Sequence, residues 1–284
     1  MKKRIAVATS TGCLDIFEHG LNIPVIRLTL NLNGTEYLDG EDIKPLEFYQ
    51  LIRDNKNILP KTSQPSLGYL LNFFEKLISE GYEEIIVSSI SSKLSSTFSG
   101  ITQVAEMLKD RITIHVFDTK TVCFNEGYFS ITASNMINEN KSTSEIIEKL
   151  TKMRDNNTIF FGVNSLEYLV KNGRLSGAAG FAGKFLQIKP LLQVTGNGTI
   201  ESIEKIRTTK KSLDAVCHSV NKYINGRKAF CNIVFTGVSD NHAYFIEKLN
   251  EICGLANVLE VGCSCVVGSH VGGDIIGVGI FIEE

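Results

Sequence analysis

In the first half of the chain, short all-apolar runs alternate with stretches in which apolar residues recur every three or four positions. This pattern narrows the fold more than any other feature. Residues 5–8 (Ile-Ala-Val-Ala) read as a buried strand, and residues 25–32 have β character. Leu67, Leu70, Leu71, Phe74, Leu77 and Ile78 then form one helical stripe, with Gly81 where a C-cap belongs. A buried strand follows at 84–90, a helix through Ile101, Val104, Ala105 and Leu108, and another strand at 112–117. Ser142 and Glu145 have the spacing of a capping box, opening a helix with Ile146, Ile147, Leu150 and Met153. Strands alternating with helices imply right-handed crossovers and a mainly parallel sheet.

The second half changes character. A strand is expected at 158–163, and residues 173–183 are rich in Gly and Ala. Residues 191–194, the Gly196-Asn197-Gly198 turn and residues 199–206 read as a β-hairpin. A helix around Leu213, Val216 and Val220 and a strand at 233–235 follow, and the chain closes in a β-rich run at 275–282. With 284 residues there is room for two cores. The expected fold is α/β: an N-terminal domain over residues 1–156 with a mainly parallel sheet flanked by helices, and a C-terminal α+β domain over 157–284 with a mixed sheet.

Composition removes several function classes. A net charge of −2 gives no field favouring nucleic acid or an anionic membrane. The basic start Met1-Lys2-Lys3-Arg4 leads into an apolar run too short for a secretion signal, so the run reads as the first strand. No apolar stretch is long enough to span a bilayer. The cysteines number seven, odd and without a framework, which fits reduced thiols in a cytoplasm. Cys263 and Cys265 lack further partners at zinc spacings and read as two thiols on one face of a strand, so no metal is expected.

Two hydroxyl clusters could carry function. One is Thr62-Ser63-Gln64-Pro65-Ser66, ahead of the Leu67 stripe; the other places seven hydroxyl residues in the ten positions 88–97, ahead of the Ile101 helix. Both read as helix starts, where free N–H groups and the dipole favour an anion. Plain N-capping is the alternative for either. Arg174, in Gly173-Arg174-Leu175-Ser176, could aim a cation at an anion or be a solvated helix end. His270, in Gly268-Ser269-His270-Val271-Gly272-Gly273, could bond a carboxylate or sit on a turn. The run Arg207-Thr208-Thr209-Lys210-Lys211 is a short basic patch. Gly177, Gly180 and Gly183 follow no strand and do not make a dinucleotide fingerprint. No phosphate loop and no nucleophile elbow occurs.

Taken together, these segments resemble the DegV family over nearly the whole chain. The resemblance rests on T-S-Q-P-S from Thr62, I-S-S-x-L-S-x-T from Ile90, G-R-L-S from Gly173, R-T-x-K-K from Arg207, G-S-H-V-G from Gly268, and Tyr37-Leu38-Asp39-Gly40 before Asp42-Ile43. That family is similar to the fatty-acid-binding subunit of bacterial fatty acid kinase. The resemblance implies one long-chain fatty acid between two domains, its carboxylate held by the hydroxyls at Thr62 and Ser95, with Arg174 and His270 near the mouth. It implies no catalysis by the chain itself; a separate kinase phosphorylates the presented carboxylate. Ser63 is a further candidate donor, and Arg207 and Lys210 are candidates for the kinase contact. The chain departs from the family at Thr9, where D-S-T is common, at Lys93 and Ser96, which replace glycines, and at Gly272-Gly273-Asp274, which replaces G-P-G.

The expected function is therefore a cytoplasmic fatty-acid carrier without a cofactor, and not an enzyme. The rival readings are a hydrolase or phosphoryl transferase using Ser95, with His270 as its base, and a lipid-free interaction module.

Overall fold

The computed structural model describes residues 2–55, 58–177, 188–237 and 241–283. In chain order its elements are β1 (Arg4–Thr9), a 3-10 turn (Ser10–Gly12), β2 (Val25–Ile26), β3 (Thr29–Leu32), β4 (Thr35–Leu38), α1 (Pro45–Asp54), β5 (Lys61–Ser63), α2 (Leu67–Ser79), β6 (Glu84–Ser89), α3 (Thr97–Met107), β7 (Thr113–Asp118), α4 (Phe124–Asn138) and α5 (Thr143–Asp155). There follow β8 (Asn157–Gly162), α6 (Glu167–Lys171), β9 (Leu191–Val194), β10 (Ile200–Glu204), α7 (Thr209–Ile224), β11 (Ala229–Phe235), α8 (His242–Cys253), β12 (Leu259–Gly262), α9 (Cys265–Val271) and β13 (Ile276–Ile282).

The strands build three sheets. The first, β2-β1-β6-β7, is parallel throughout. The second is a small antiparallel sheet, β4-β3-β5. The third, β10-β9-β8-β13-β11-β12, is antiparallel except where β11 meets β12. The chain is thus α/β, with a parallel sheet flanked by helices and a separate mixed sheet.

Strand alternation decides which helix covers which face. On the parallel sheet, Ile5, Val7, Ile85 and Val87 face Leu70 and Phe74 of α2 and Ile101 and Val104 of α3. The intervening Ala6 and Ile86 face Phe129 and Ala133 of α4 and Ile146 and Leu150 of α5. On the mixed sheet, Phe160, Leu191, Ile233, Ile276, Val278 and Ile280 face α7 and α8 through Leu213, Val216, Phe245 and Leu249. Their neighbours Ile159, Phe161, Leu192 and Val234 face the other way, toward Leu14, Ile90, Leu94 and Phe124 of the first lobe. The two lobes therefore meet through one shared apolar cluster.

Close approach at that seam depends on small residues. Gly279 of β13 lies under Asn125 at the start of α4; any side chain there would collide with the Asn125 amide. Aromatic rings close the seam beyond, with Tyr128 stacked on Phe230 at 4.4 Å between centroids.

The capping box forms as expected, with Ser142 accepting from the Glu145 backbone and Glu145 reaching back to Ser142. The run at 25–32 does not stay one strand. It breaks after Ile26, and Thr29–Leu32 joins the small sheet. The two-residue turn Asn33-Gly34, whose φ angles of 52° and 93° suit a hairpin with a primed turn, pairs β3 with β4. Cys263 and Cys265 do not share a strand face. Cys263 follows β12, and Cys265 is the first residue of α9. Of the Gly- and Ala-rich segment at 173–183, residues 178–183 lie outside the described residues.

Candidate functional site

Between the two lobes lies a narrow cavity of about 60 Å³. Its walls are aliphatic or aromatic over most of their extent: Leu28, Ile90, Leu94 and Val122 from the first lobe, Ile159, Phe161, Val194, Ile200 and Val234 from the mixed sheet, and Val266, Val267, Val271 and Ile275 around α9. The polar lining residues are Thr11, Thr62, Ser95, Arg174 and His270, with the thiol of Cys123. Four of the five sequence candidates for ligand binding thus converge from four separate elements.

Thr62 arrives on β5, paired with Leu30 of β3. It is not at a helix start: the N-cap of α2 is Ser66, whose hydroxyl accepts from the Tyr69 N–H. Because side chains alternate along a strand, Thr62 faces inward and Ser63 outward. Ser63 is exposed and does not line the cavity. Nor is His270 in a loop. It lies in the last turn of α9, which Ser264 caps by accepting from the Val267 N–H. Thr62 Oγ1 and His270 Nε2 are 2.7 Å apart. Burial, followed by the charge of Arg174, pulls the His270 pKa down to about 4, so the ring is neutral at neutral pH. Its Nδ1 is buried and has no hydrogen-bond partner among the described residues.

Ser95 follows β6 and sits 2.8 Å from the hydroxyl of Thr97, whose N–H donates to it at 3.2 Å. Arg174 donates from Nε to the Leu94 carbonyl at 3.1 Å and from Nη1 to the Asn172 carbonyl at 2.5 Å, which fixes the guanidinium beside the Ser95 loop. Arg207 and Lys210 stand apart from this site. Both are exposed, and Lys210 lies over the Tyr244 ring at 5.0 Å. Lys93 is exposed and does not line the cavity.

The large hydroxyl cluster divides its work. Ser91 donates to the Gly198 carbonyl at 2.7 Å, which docks the β9-β10 hairpin of the second lobe onto the first. Ser92 donates to Asp118 at 2.6 Å. Only Ser95 of the seven reaches the cavity wall.

Two buried carboxyls, Glu126 and Asp39, were not singled out in the sequence as site residues. Glu126, at the start of α4, accepts from Thr9 and, at 2.5 Å, from Thr11, which itself lines the cavity. Burial outweighs those hydrogen bonds and pushes the Glu126 pKa up to about 8. Asp39 accepts from Ser10 at 2.8 Å and from the Cys265 N–H at the start of α9 at 3.0 Å. Burial raises its pKa to about 6. Asp39 belongs to the Tyr37-Leu38-Asp39-Gly40 stretch and could have been singled out there. Among the described residues no cluster of His, Cys, Asp and Glu could hold a metal ion, and no helix is long and apolar enough to cross a membrane.

A concave, mostly apolar cavity with a few converging polar groups is the form of a small-molecule binding site. A family model described as "Uncharacterised protein, DegV family" matches residues 5–283. A DegV domain-containing protein of Clostridium acetobutylicum is 32% identical over 99% of this chain and 100% of its own length. A fatty acid binding DegV family protein of Streptococcus agalactiae superposes with a TM-score of 0.89 at 27% identity, covering 100% of both chains. DegV of Bacillus subtilis, a fatty acid binding protein, superposes with a TM-score of 0.85 at 26% identity, again over 100% of both chains. The chain belongs to the DegV family.

Proposed function

We propose that this protein binds one long-chain fatty acid in the cavity between its lobes, which divide near Asn156, and presents the carboxylate to a fatty acid kinase. The carrying observation is the cavity itself: apolar along its length, with Thr62, Ser95, Arg174 and His270 gathered on its wall. The fatty acid binding of the DegV proteins of S. agalactiae and B. subtilis supports the same reading.

The energetics divide the labour. A tail of ~16 carbons offers roughly 12 kcal/mol of gross burial at about 0.8 per methylene. Lost translational freedom and ordering cancel much of that. Each charge-assisted bond to the head adds about 1.5–3 kcal/mol. The tail sets affinity, and the Thr62 and Ser95 hydroxyls, with the fixed cation of Arg174, set where the head stops. His270, being neutral, adds a hydrogen bond rather than a second charge.

A Ser95 hydrolase is less well supported. His270 Nε2 faces Thr62, and Ser95 pairs with Thr97, so the one candidate base is engaged by a different hydroxyl. Solvent extraction of gently purified protein, followed by mass spectrometry, tests the proposal. A stoichiometric fatty acid is expected. Its absence, together with no uptake of added palmitic acid, would count against the reading.

A further inference from the structure

Two sulfur atoms meet behind the cavity. Cys123 lines it. Cys263 lies beyond, on the wall of a separate groove bounded by Phe17, Tyr49, Phe235 and Val261. The sulfurs are 3.7 Å apart although the residues are 140 positions apart in the chain. Their side chains are 5% and 0% exposed, so neither is an incidental surface thiol.

Both backbones are held in place by other parts of the fold. The Cys123 carbonyl accepts the Glu126 N–H at 2.9 Å as α4 begins. Its φ of 60° with ψ of −157° is a conformation that favours glycine, yet the chain carries a cysteine there. The Cys263 N–H donates to the Phe235 carbonyl at 2.8 Å, and its own carbonyl accepts the Tyr49 hydroxyl at 3.1 Å. A strained residue with its reactive atom against a second one from the other lobe motivates a functional reading.

We infer that Cys123 and Cys263 form a redox modification site, converted to a disulfide between the lobes by a hydroperoxide that enters the cavity. The Cys123 sulfur attacks the near peroxide oxygen. An S–O bond forms, the O–O bond breaks, and the peroxide leaves as an alcohol or as water, having taken the thiol proton. Cys263 then attacks the sulfenic sulfur: the S–S bond forms, the S–O bond breaks, and the hydroxyl leaves as water with the Cys263 thiol proton. Two thiols lose two electrons and the peroxide gains them. Closing the gap from 3.7 Å to a bond of about 2.05 Å is a small movement for two side chains already in contact. The hydrogen bond to Cys263 and burial hold the Cys123 pKa well above its usual value, which slows its reaction with any oxidant. With the two residues only 5% and 0% exposed and Cys123 on the cavity wall, a peroxide held in the cavity has the access that one in bulk solvent lacks. The bridge ties the cavity wall to the segment leading into α9, which carries His270, and so slows exchange of whatever the cavity holds.

Full-length protein stripped of lipid is treated with hydrogen peroxide or with linoleic acid hydroperoxide, unfolded, alkylated and mapped by mass spectrometry. A Cys123–Cys263 bridged peptide, reversed by dithiothreitol and absent from C123S and C263S but present in C13S, is expected. No bridge in the wild type, or a bridge to Cys13 instead, overturns the site. Faster bridging by the lipid hydroperoxide assigns the oxidant to the cavity ligand, and faster bridging by hydrogen peroxide assigns it to the small molecule. Saturating palmitic acid should protect the pair; equal bridging with and without it overturns the cavity route. The protection, lipid hydroperoxide and exchange arms rest on fatty acid binding. Calorimetry of palmitic acid binding shows which of the two ideas has failed, and the hydrogen peroxide arm judges the thiol site alone. Exchange of a fluorescent fatty acid should slow severalfold in the bridged form, and an unchanged rate overturns the proposed consequence.

Discussion

The hydroxyl of Thr62 and the imidazole of His270 are in hydrogen-bond contact at 2.7 Å, joining β5 of the small sheet to the last turn of α9 across 208 positions of sequence. Thr62 does not cap α2, and His270 lies in a helix rather than on the glycine turn its sequence context suggests. Their partnership belongs to the cavity.

Thr62→Ala should therefore weaken fatty acid binding by about 1–3 kcal/mol, the cost of a charged or buried group left short of a partner. Its melting temperature should fall as well, because the His270 ring loses the partner of its Nε2. Ser66→Ala removes the true cap of α2 and should cost about 1 kcal/mol of stability while affinity stays constant. Calorimetry and thermal melts on both variants check the contrast. A stability loss in Thr62→Ala without a change in affinity would remove Thr62 from the site.

Ser95→Ala should show both effects at once. It deletes a candidate ligand donor and the acceptor of the Thr97 N–H at the start of α3. We expect about 1 kcal/mol of lost stability, lower affinity, and a larger loss in kinase-dependent phosphorylation than in binding. Phosphorylation falling only in proportion to occupancy would argue against a positioning role.

Glu126 should make the protein less stable as pH rises. Its folded pKa, about 8, lies above the ordinary carboxyl value of 4.5. Between those values the folded state holds the proton more firmly than the unfolded chain, so stability is greatest at low pH and is lost as pH climbs toward 8. Glu126→Gln keeps the shape and removes the titration. Denaturant unfolding at pH 5 and pH 8.5 should show the variant gaining on the wild type at the higher pH, by the order of a few kcal/mol. An equal difference at both values would mean Glu126 is not held protonated.

Gly198 places the tip of the β9-β10 hairpin on Ser91 with φ at 82°. Gly198→Val would force a branched side chain into the left-handed region and against Ser91. A loss of about 1–3 kcal/mol in stability is expected, with faster release of ligand as the lobes loosen. Unchanged release kinetics in a folded variant would show that this contact does not hold the cavity closed.

Arg207→Glu and Lys210→Glu should slow association with the kinase, more at low salt than at high, while lipid content stays constant. Both side chains are exposed and distant from the cavity lining, so binding and partner effects are separable. Identical on-rates for wild type and variants in surface plasmon resonance would discard the patch.

What the sequence determined by itself is periodic or local. Alternating strand and helix periods marked the parallel sheet, Ser142 and Glu145 marked the start of α5, and the Gly196-Asn197-Gly198 turn marked the second-lobe hairpin, because each depends on residues a few positions apart. The short motifs also picked out Thr62, Ser95, Arg174 and His270. They did not tell that Thr62 rides a strand while Ser63 beside it faces solvent, because β5 is three residues long and exists only by pairing with β3. The Asn33-Gly34 turn was legible and marks the small sheet that decides this. The buried carboxyl of Glu126, the split duties of the 88–97 hydroxyls and the meeting of Cys123 with Cys263 were set by tertiary structure alone. Each is a contact between residues far apart in sequence, made where two lobes exclude water from their seam. Burial on that scale depends on what comes from the other side, and no single stretch of chain carries that information.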